Sequence, residues 1–315
     1  MMPLARRAAK SYIAGPELPD ALRVCRQLSQ QGFSTTTGFW DGPDDSPESV
    51  ADEYVSALNA LAQENSDSYL SIKLPALDNS SELLNLVVEH GRRAASEAGS
   101  DVAEFVRILG VTASGGPTSH EVGYGHAGAT ALAEVSSSRG IRIHFDSLGA
   151  DSANAMWTAA VDAATEGATI SCSLPGRWRR SLADADDAVA AGIIPRVVKG
   201  QWPDPDAPQI DLRSGFMSVV ERLAGRVPHV AVATHDVPLA RQAVQCLRAA
   251  GTSCELELLF GLPQRASLAF AESEGVHVRF YVPYGKAYLP YCLGQIGRQP
   301  RLLWWLMRDA LVQRA

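Results

Sequence analysis

The sequence holds no CxxC pair, no GxGxxG or GxxxxGK[ST] loop and no GxSxG elbow. Each absence removes a chemistry. Without a glycine-rich phosphate loop after the first strand, a dinucleotide fold of the Rossmann kind lacks its fingerprint. Without a nucleophile elbow or a Ser/His/Asp arrangement, acyl transfer has no support. The five cysteines (Cys25, Cys172, Cys246, Cys254, Cys292) stand alone, which fits isolated thiols in a reducing compartment and leads us to expect a cytoplasmic protein. His120 and His126, six residues apart, have no third ligand nearby, so no metal is expected. No apolar run approaches transmembrane length, and MMPLARRAAKSYIAG at the start lacks the apolar stretch of a signal peptide. The net charge of −7 and the short, scattered basic clusters (Arg6–Arg7, Arg92–Arg93, Arg177–Arg180) argue against a nucleic-acid partner.

What is present is a regular alternation over 315 residues, 46% of them hydrophobic. Leu18, Ala21, Leu22, Cys25 and Leu28 recur at helical spacing, and Gly32 ends that helix. FSTTT (33–37) reads as a strand, followed by a Gly/Asp/Pro loop (38–47) and a second helix at 48–64. Strands are then predicted at 69–74, 141–145, 168–174, 193–198, 229–234, 254–260 and 277–282, the last stopped by Pro283. Helical patterns fall at 151–165, 179–191, 210–225, 237–250 and 264–274. Eight strands separated by helices call for a parallel sheet closed into a distorted (β/α)8 barrel. An N-terminal helix precedes it, and a C-terminal helix would close over the pocket. A doubly wound open sheet is the other architecture of this pattern. We read the chain as one domain, 1–315, with a Gly/Ser-rich insertion at about 92–130 between the second and third strands. The apolar helix RLLWWLMRDAL (301–311) is expected to pack on the barrel.

Chemistry in such a barrel sits at the C-terminal strand ends. Those positions hold Thr36 and Thr37, Lys73, His144 and Asp146, Ser171 and Ser173, Arg196 and Lys199, Thr234 and His235, Glu257, and Tyr281 and Tyr284. Lys73 and Arg196 interrupt apolar runs, so each needs either a function or a dedicated carboxylate. Asp146 and Glu257 are candidates for those carboxylates. His235 stands just before a helix, where it could serve its N-terminal turn. Cations, a histidine and several aromatics suit an anionic, planar cofactor, because cationic groups and a helix N-terminus hold pyrophosphate.

The segments YIAG (12–15), SIKL (71–74), RVVKGQW (196–202), VATHD (232–236), ELELLFG (255–261) and RFYVPYG followed by LPY (279–291), in that order, resemble the proline dehydrogenase family. That resemblance implies a flavoenzyme on a distorted (β/α)8 barrel, with FAD bound non-covalently and a hydride passed to flavin N5. It places Arg196 near N5, tuning the flavin by hydrogen bonding and charge. It sets Lys199, Gly200, Trp202, Thr234, His235, Ser171, Glu257 and Gln295 at the cofactor. Lys73, Tyr281 and Tyr291 build the substrate site, and Lys73 or His144 would take the amine proton.

The chain departs from the family's LPYLxRRLxEN ending, where two arginines grip the proline carboxylate. Here it reads LPYCLGQIGRQ, with Gly294 and Gln295 at the arginine positions and Arg298 where the Glu is expected. Two lost charge-assisted anchors, roughly 1.5–3 kcal/mol each, point to a substrate other than free proline: a cyclic amine or an amino-acid derivative with a masked carboxylate. Three other readings stand beside it. One is proline dehydrogenase proper with Arg298 in the anchoring role. Another is a barrel that has lost catalysis and serves binding or regulation. The third is a flavin-independent lyase using Lys73 as a Schiff base. A small amine is the expected partner, and quinone or oxygen the electron acceptor. The oligomeric state is left open.

Overall fold

The computed structural model describes residues 14–64, 67–93, 141–201 and 203–285. The expected insertion (almost all of it), Trp202, Tyr291, Gln295 and the C-terminal helix lie outside these residues. The elements are α1 (Leu18–Gln30), β1 (Ser34–Phe39), α2 (Pro47–Gln63), β2 (Ser68–Ile72), a 3-10 turn (Leu74–Leu77), β3 (Ile143–Phe145), α3 (Ala153–Thr165), β4 (Ile170–Pro175), α4 (Ser181–Ala191), β5 (Ile194–Val198), α5 (Leu212–Leu223), β6 (His229–Ala233), α6 (Val237–Ala249), β7 (Ser253–Leu259), α7 (Arg265–Glu274) and β8 (His277–Tyr284). A further helical stretch covers 81–93. The strands pair in chain order and close, β8 onto β1, with every pairing parallel. No helix among the described residues is long and apolar enough to cross a membrane.

The strand alternation decides what lies on each side of the barrel wall. Leu70 and Ile72, Ile143 and Phe145, Ile170, Cys172 and Leu174, Val230 and Val232, Leu256 and Leu258, and Val278, Phe280 and Val282 point outward. There they join a single apolar core with the buried faces of the helices. α1 contributes Ala21, Val24, Cys25 and Leu28 to it, and α6 contributes Leu239, Ala240, Ala243, Val244 and Leu247. The helices start where capping chemistry allows. Ser46 accepts from the Ser49 N–H ahead of α2, Asp211 from Arg213 and Ser214 ahead of α5, and Asp236 from Leu239 ahead of α6.

The inward positions are mostly polar, unlike the branched aliphatic layers that fill many such barrels. A lower layer is built around Arg279, which donates to Glu255 (2.9 Å), to Asp67 (2.6 Å) and to the carbonyls of Thr35 and Asp67. Ser34 links Asp67 to His277 at 2.8 and 2.6 Å. His229 bridges towards Ser253 and Glu255. Two guanidiniums lie over the Tyr69 ring, Arg279 at 4.4 Å and Arg142 at 4.8 Å from its centre. Arg279 is 1% exposed, so its carboxylate partners are what make its burial tolerable.

Two strands, β1 and β8, run two residues past the ends read from the sequence. β1 continues through Gly38 to Phe39, and β8 runs past Pro283 to Tyr284. Proline is accommodated there because it has no N–H to place, while its carbonyl accepts from Ala14. The neighbouring bonds, Trp40 N–H to Tyr284 O and Gly285 N–H to Gly15 O, extend the seam.

Removing the charge at the centre of the lower layer takes from Glu255 and Asp67 the cation they share. Arg279→Met is expected to destabilise the fold by about 3–5 kcal/mol, read as a lower urea midpoint. The loss should shrink when Glu255→Gln is added.

Candidate active site

Above Tyr69 the barrel interior is organised by one guanidinium. Arg196, on β5, donates through Nη1 to Glu257 on β7 (2.8 Å), through Nη2 to Asp146 beyond β3, and through Nε and Nη2 to Ser173 on β4 (3.1 and 2.9 Å). The face of the Tyr281 ring lies 5.3 Å from its central carbon. The two carboxylates hold its pKa even above its already high usual value. Glu257 is spent in this network, since its second oxygen accepts from Tyr69 (3.4 Å).

Asp146 is the second hub. One oxygen takes Arg196; the other accepts from Ser71 and from the Tyr281 hydroxyl, both at 2.9 Å. Burial opposes its ionisation. Arg196, His144 and Lys73 outweigh that and hold the carboxyl far below the usual range. Asp146 and Glu257 are thus the partners of the basic residue, as their strand-end positions suggested. Ser173, a strand-end candidate, is a member, and so are Ser71 and Tyr69, which the sequence reading does not single out. The one signal for them is parity: Tyr69 and Ser71 share the inward face with Lys73.

His144 is fully buried, with Nδ1 at 2.9 Å from Ser171 Oγ and Nε2 at 2.9 Å from Ser173 Oγ. Burial first, then the charge of Arg196, pushes its pKa down to about 4. A neutral imidazole spanned by two serines is a weak proton acceptor. Ser171 serves this imidazole.

Lys73 follows β2 and caps the 3-10 turn; its backbone N–H donates to Tyr54 Oη at 3.1 Å. Its ammonium is buried, donates to the Phe39 carbonyl and lies 4.8 Å from the Trp40 ring centre. Burial lowers its pKa and Arg196 adds to that, while Asp146 and Asp41 oppose it. A lysine whose one described hydrogen-bond acceptor is a neutral carbonyl keeps that bond in either protonation state.

The rim over β4 to β6 carries the remaining candidates. Lys199 (3.0 Å) and Arg213 (2.8 Å) share one oxygen of Asp236. Gly200 has φ +87°, and a Cβ there would stand 3.0 Å from Pro175 Cβ and 3.4 Å from Arg177 Cβ. The Arg177 Nε is buried without a partner. Three cations beside a left-handed glycine form a donor set that fits a pyrophosphate, as FAD would present. Lys199 and Arg213 would exchange a shared carboxylate for phosphate oxygens. Thr234 accepts the Asp236 N–H. His235 spends both ring nitrogens on backbone, accepting from Leu259 N–H at 2.9 Å and facing Pro263 O at 3.1 Å. It therefore ties the β6 rim to the β7 rim and has only its ring face left for a ligand. No group of three or more metal-ligating side chains occurs among the described residues.

Comparison with known proteins gives a consistent result. The chain is 26% identical to proline dehydrogenase 1 of Bacillus subtilis subsp. natto over 310 residues, covering 94% of this chain and 88% of that one. It is 25% identical to proline dehydrogenase 1 of Bacillus subtilis strain 168 over the same shares. Among solved structures, proline utilization A (PutA) from Bdellovibrio bacteriovorus, inactivated by N-propargylglycine, superposes with a TM-score of 0.64 at 15% identity over 90% of this chain. PutA from Corynebacterium freiburgense gives 0.62 at 13% identity over 99%. This chain spans 32% and 33% of those two PutA chains. No family model matches the chain.

The depressed His144 pKa carries a sign. A histidine that resists protonation when folded loses stability as pH falls below its unfolded value near 6.5, down to its folded value of about 4. Between pH 7.5 and pH 5 this one group should cost roughly 2 kcal/mol. His144→Asn is expected to flatten the fall by about that amount, measured as urea midpoints at the two pH values.

Proposed function

Because this chain belongs to the proline dehydrogenase family, we propose that it is an FAD-dependent oxidoreductase acting on the CH–NH group of an amine other than free proline. The observation that carries this reading is the Lys73, Asp146, Arg196 and Tyr281 constellation at the barrel mouth. It consists of a buried lysine, a hub carboxylate, a fixed guanidinium and an aromatic wall, beneath a rim whose cations suit a pyrophosphate. FAD, when bound, supplies the acceptor for the hydride leaving the carbon next to nitrogen.

The residues of the chain do the rest. Asp146 holds Arg196 and Tyr281 from its two oxygens, so guanidinium and aromatic wall keep a fixed relation. Fixed charges aimed into a dry site cost no reorganisation during reaction. Lys73 takes the amine N–H proton: desolvation moves it toward the neutral form, and Asp146 stabilises the cation that results. The amine thereby loses a hydride from carbon and a proton from nitrogen, leaving an imine. His144, with both ring nitrogens against serines and its pKa pushed down by burial, is the weaker candidate for that base.

The substrate assignment rests on sequence. Gly294 and Gln295 occupy the positions where the family carries its carboxylate-binding arginines. A pocket without that pair favours a cyclic amine without a carboxylate, or one whose carboxylate is masked.

The test is anaerobic reduction of the FAD-loaded protein by pyrrolidine, L-prolinamide and L-proline, followed by flavin absorbance. The two carboxylate-free compounds are expected to reduce it faster than L-proline. Equal or faster reduction by L-proline would identify proline dehydrogenase proper, with Arg298 in the anchoring role. A colourless protein with no spectral change on adding FAD would mark a barrel that has kept the fold for binding. Gly294→Arg with Gln295→Arg should raise the apparent affinity for L-proline on the order of 100-fold or more. Lys73→Met should lower the limiting reduction rate by about 10²–10⁴-fold, with FAD affinity changed far less.

A further inference from the structure

Gly38 occupies an inward position near the end of β1, in register with Ser71 on β2 and Pro283 on β8. Its φ is not in the left-handed region, so the backbone makes no demand for glycine there. The space does. A Cβ at Gly38 would stand 2.2 Å from the Tyr281 hydroxyl oxygen, 2.6 Å from Cζ and 3.1 Å from Cε1. Glycine inside a strand usually marks a place where another group must come close. Here that group is the phenol of Tyr281, whose hydroxyl donates to Asp146 at 2.9 Å and whose ring faces Arg196. The ring is held in a rigid setting: Tyr281 is 7% exposed and lies on a strand paired on both edges.

We propose that Gly38 is a positioning residue for the amine pocket: its missing side chain is the slot that lets Tyr281 cross the barrel mouth and place its hydroxyl on Asp146. Any side chain at 38 forces the Tyr281 ring away from that position. The Asp146 hub then loses one of its three strong donors, and the aromatic wall shifts relative to Arg196. The three atoms nearest to the missing Cβ all belong to Tyr281, so Gly38 acts through that side chain. The functional consequence rests on the proposed amine oxidation; the steric coupling does not.

A double-mutant cycle tests it. Gly38→Ala, Tyr281→Leu and the double variant are compared in the FAD-loaded full chain by urea midpoint and by anaerobic reduction with pyrrolidine. Leucine lacks every Tyr281 atom that the new methyl would strike. In the native background Gly38→Ala is expected to lower the midpoint and to raise the pyrrolidine concentration for half-maximal reduction about tenfold, with a smaller change in the limiting rate. In the Tyr281→Leu background the same substitution should leave the midpoint unchanged or raise it, because alanine restricts the unfolded chain more than glycine does. An equal loss in both backgrounds would overturn the proposal. So would a native-background Gly38→Ala protein as stable and as active as the parent. If pyrrolidine reduces none of the four proteins, the functional reading fails, and the stability cycle still decides the coupling.

Discussion

One buried guanidinium sets the terms for the active end of this barrel. Arg196 is 5% exposed and reaches two carboxylates and a serine on three other segments of the wall. Breaking a buried ion pair from one side strands the other charge, at a cost of about 3–5 kcal/mol. Arg196, Asp146 and Glu257 are therefore mutually dependent, and each fixes the segment that carries it. Asp146 passes the constraint to Tyr281 and Ser71, and Ser173 passes it to His144. What looks like a set of separate site residues is one hydrogen-bonded unit.

That unit rests on a second one. Arg279 organises the lower layer with Glu255 and Asp67, and Tyr69 joins the two, its ring against Arg279 and its hydroxyl on Glu257. Filling a barrel with charge in place of branched aliphatics sacrifices hydrophobic contact inside. The apolar core between wall and helices makes up for it, since every outward strand position named above is buried there. The division is useful for catalysis of the proposed kind. A site held by charges fixed in the folded chain keeps its field when a substrate enters and water leaves.

The roles implied by resemblance and those given by geometry agree in some places and part in others. Lys73, Arg196 and Tyr281 converge at the mouth, and Lys199 and Gly200 stand on the rim. His144, Ser171, Glu257 and His235 spend their polar atoms within the chain. Such groups shape a site by holding its working residues still. Gly38 extends the same logic to a position with no functional group at all.

The sequence by itself determined the eightfold alternation of strand and helix, because those periods are local properties, while the closure of the sheet came with the pairing of β8 onto β1. It also identified Lys73 and Arg196 as charges that the wall must account for, because a cation inside an apolar run has no cheap explanation. It marked Asp146 and Glu257 as the available partners. Only the tertiary structure decided who holds whom. Which inward side chains meet depends on the stagger of strands around the closed sheet, and that stagger brings β5 to β7 and the end of β3 to β8. The same closure explains why β1 runs on through Gly38 and β8 through Pro283. Read along the chain, glycine and proline end a strand. Inside a closed wall, one makes room for a tyrosine and the other needs no donor.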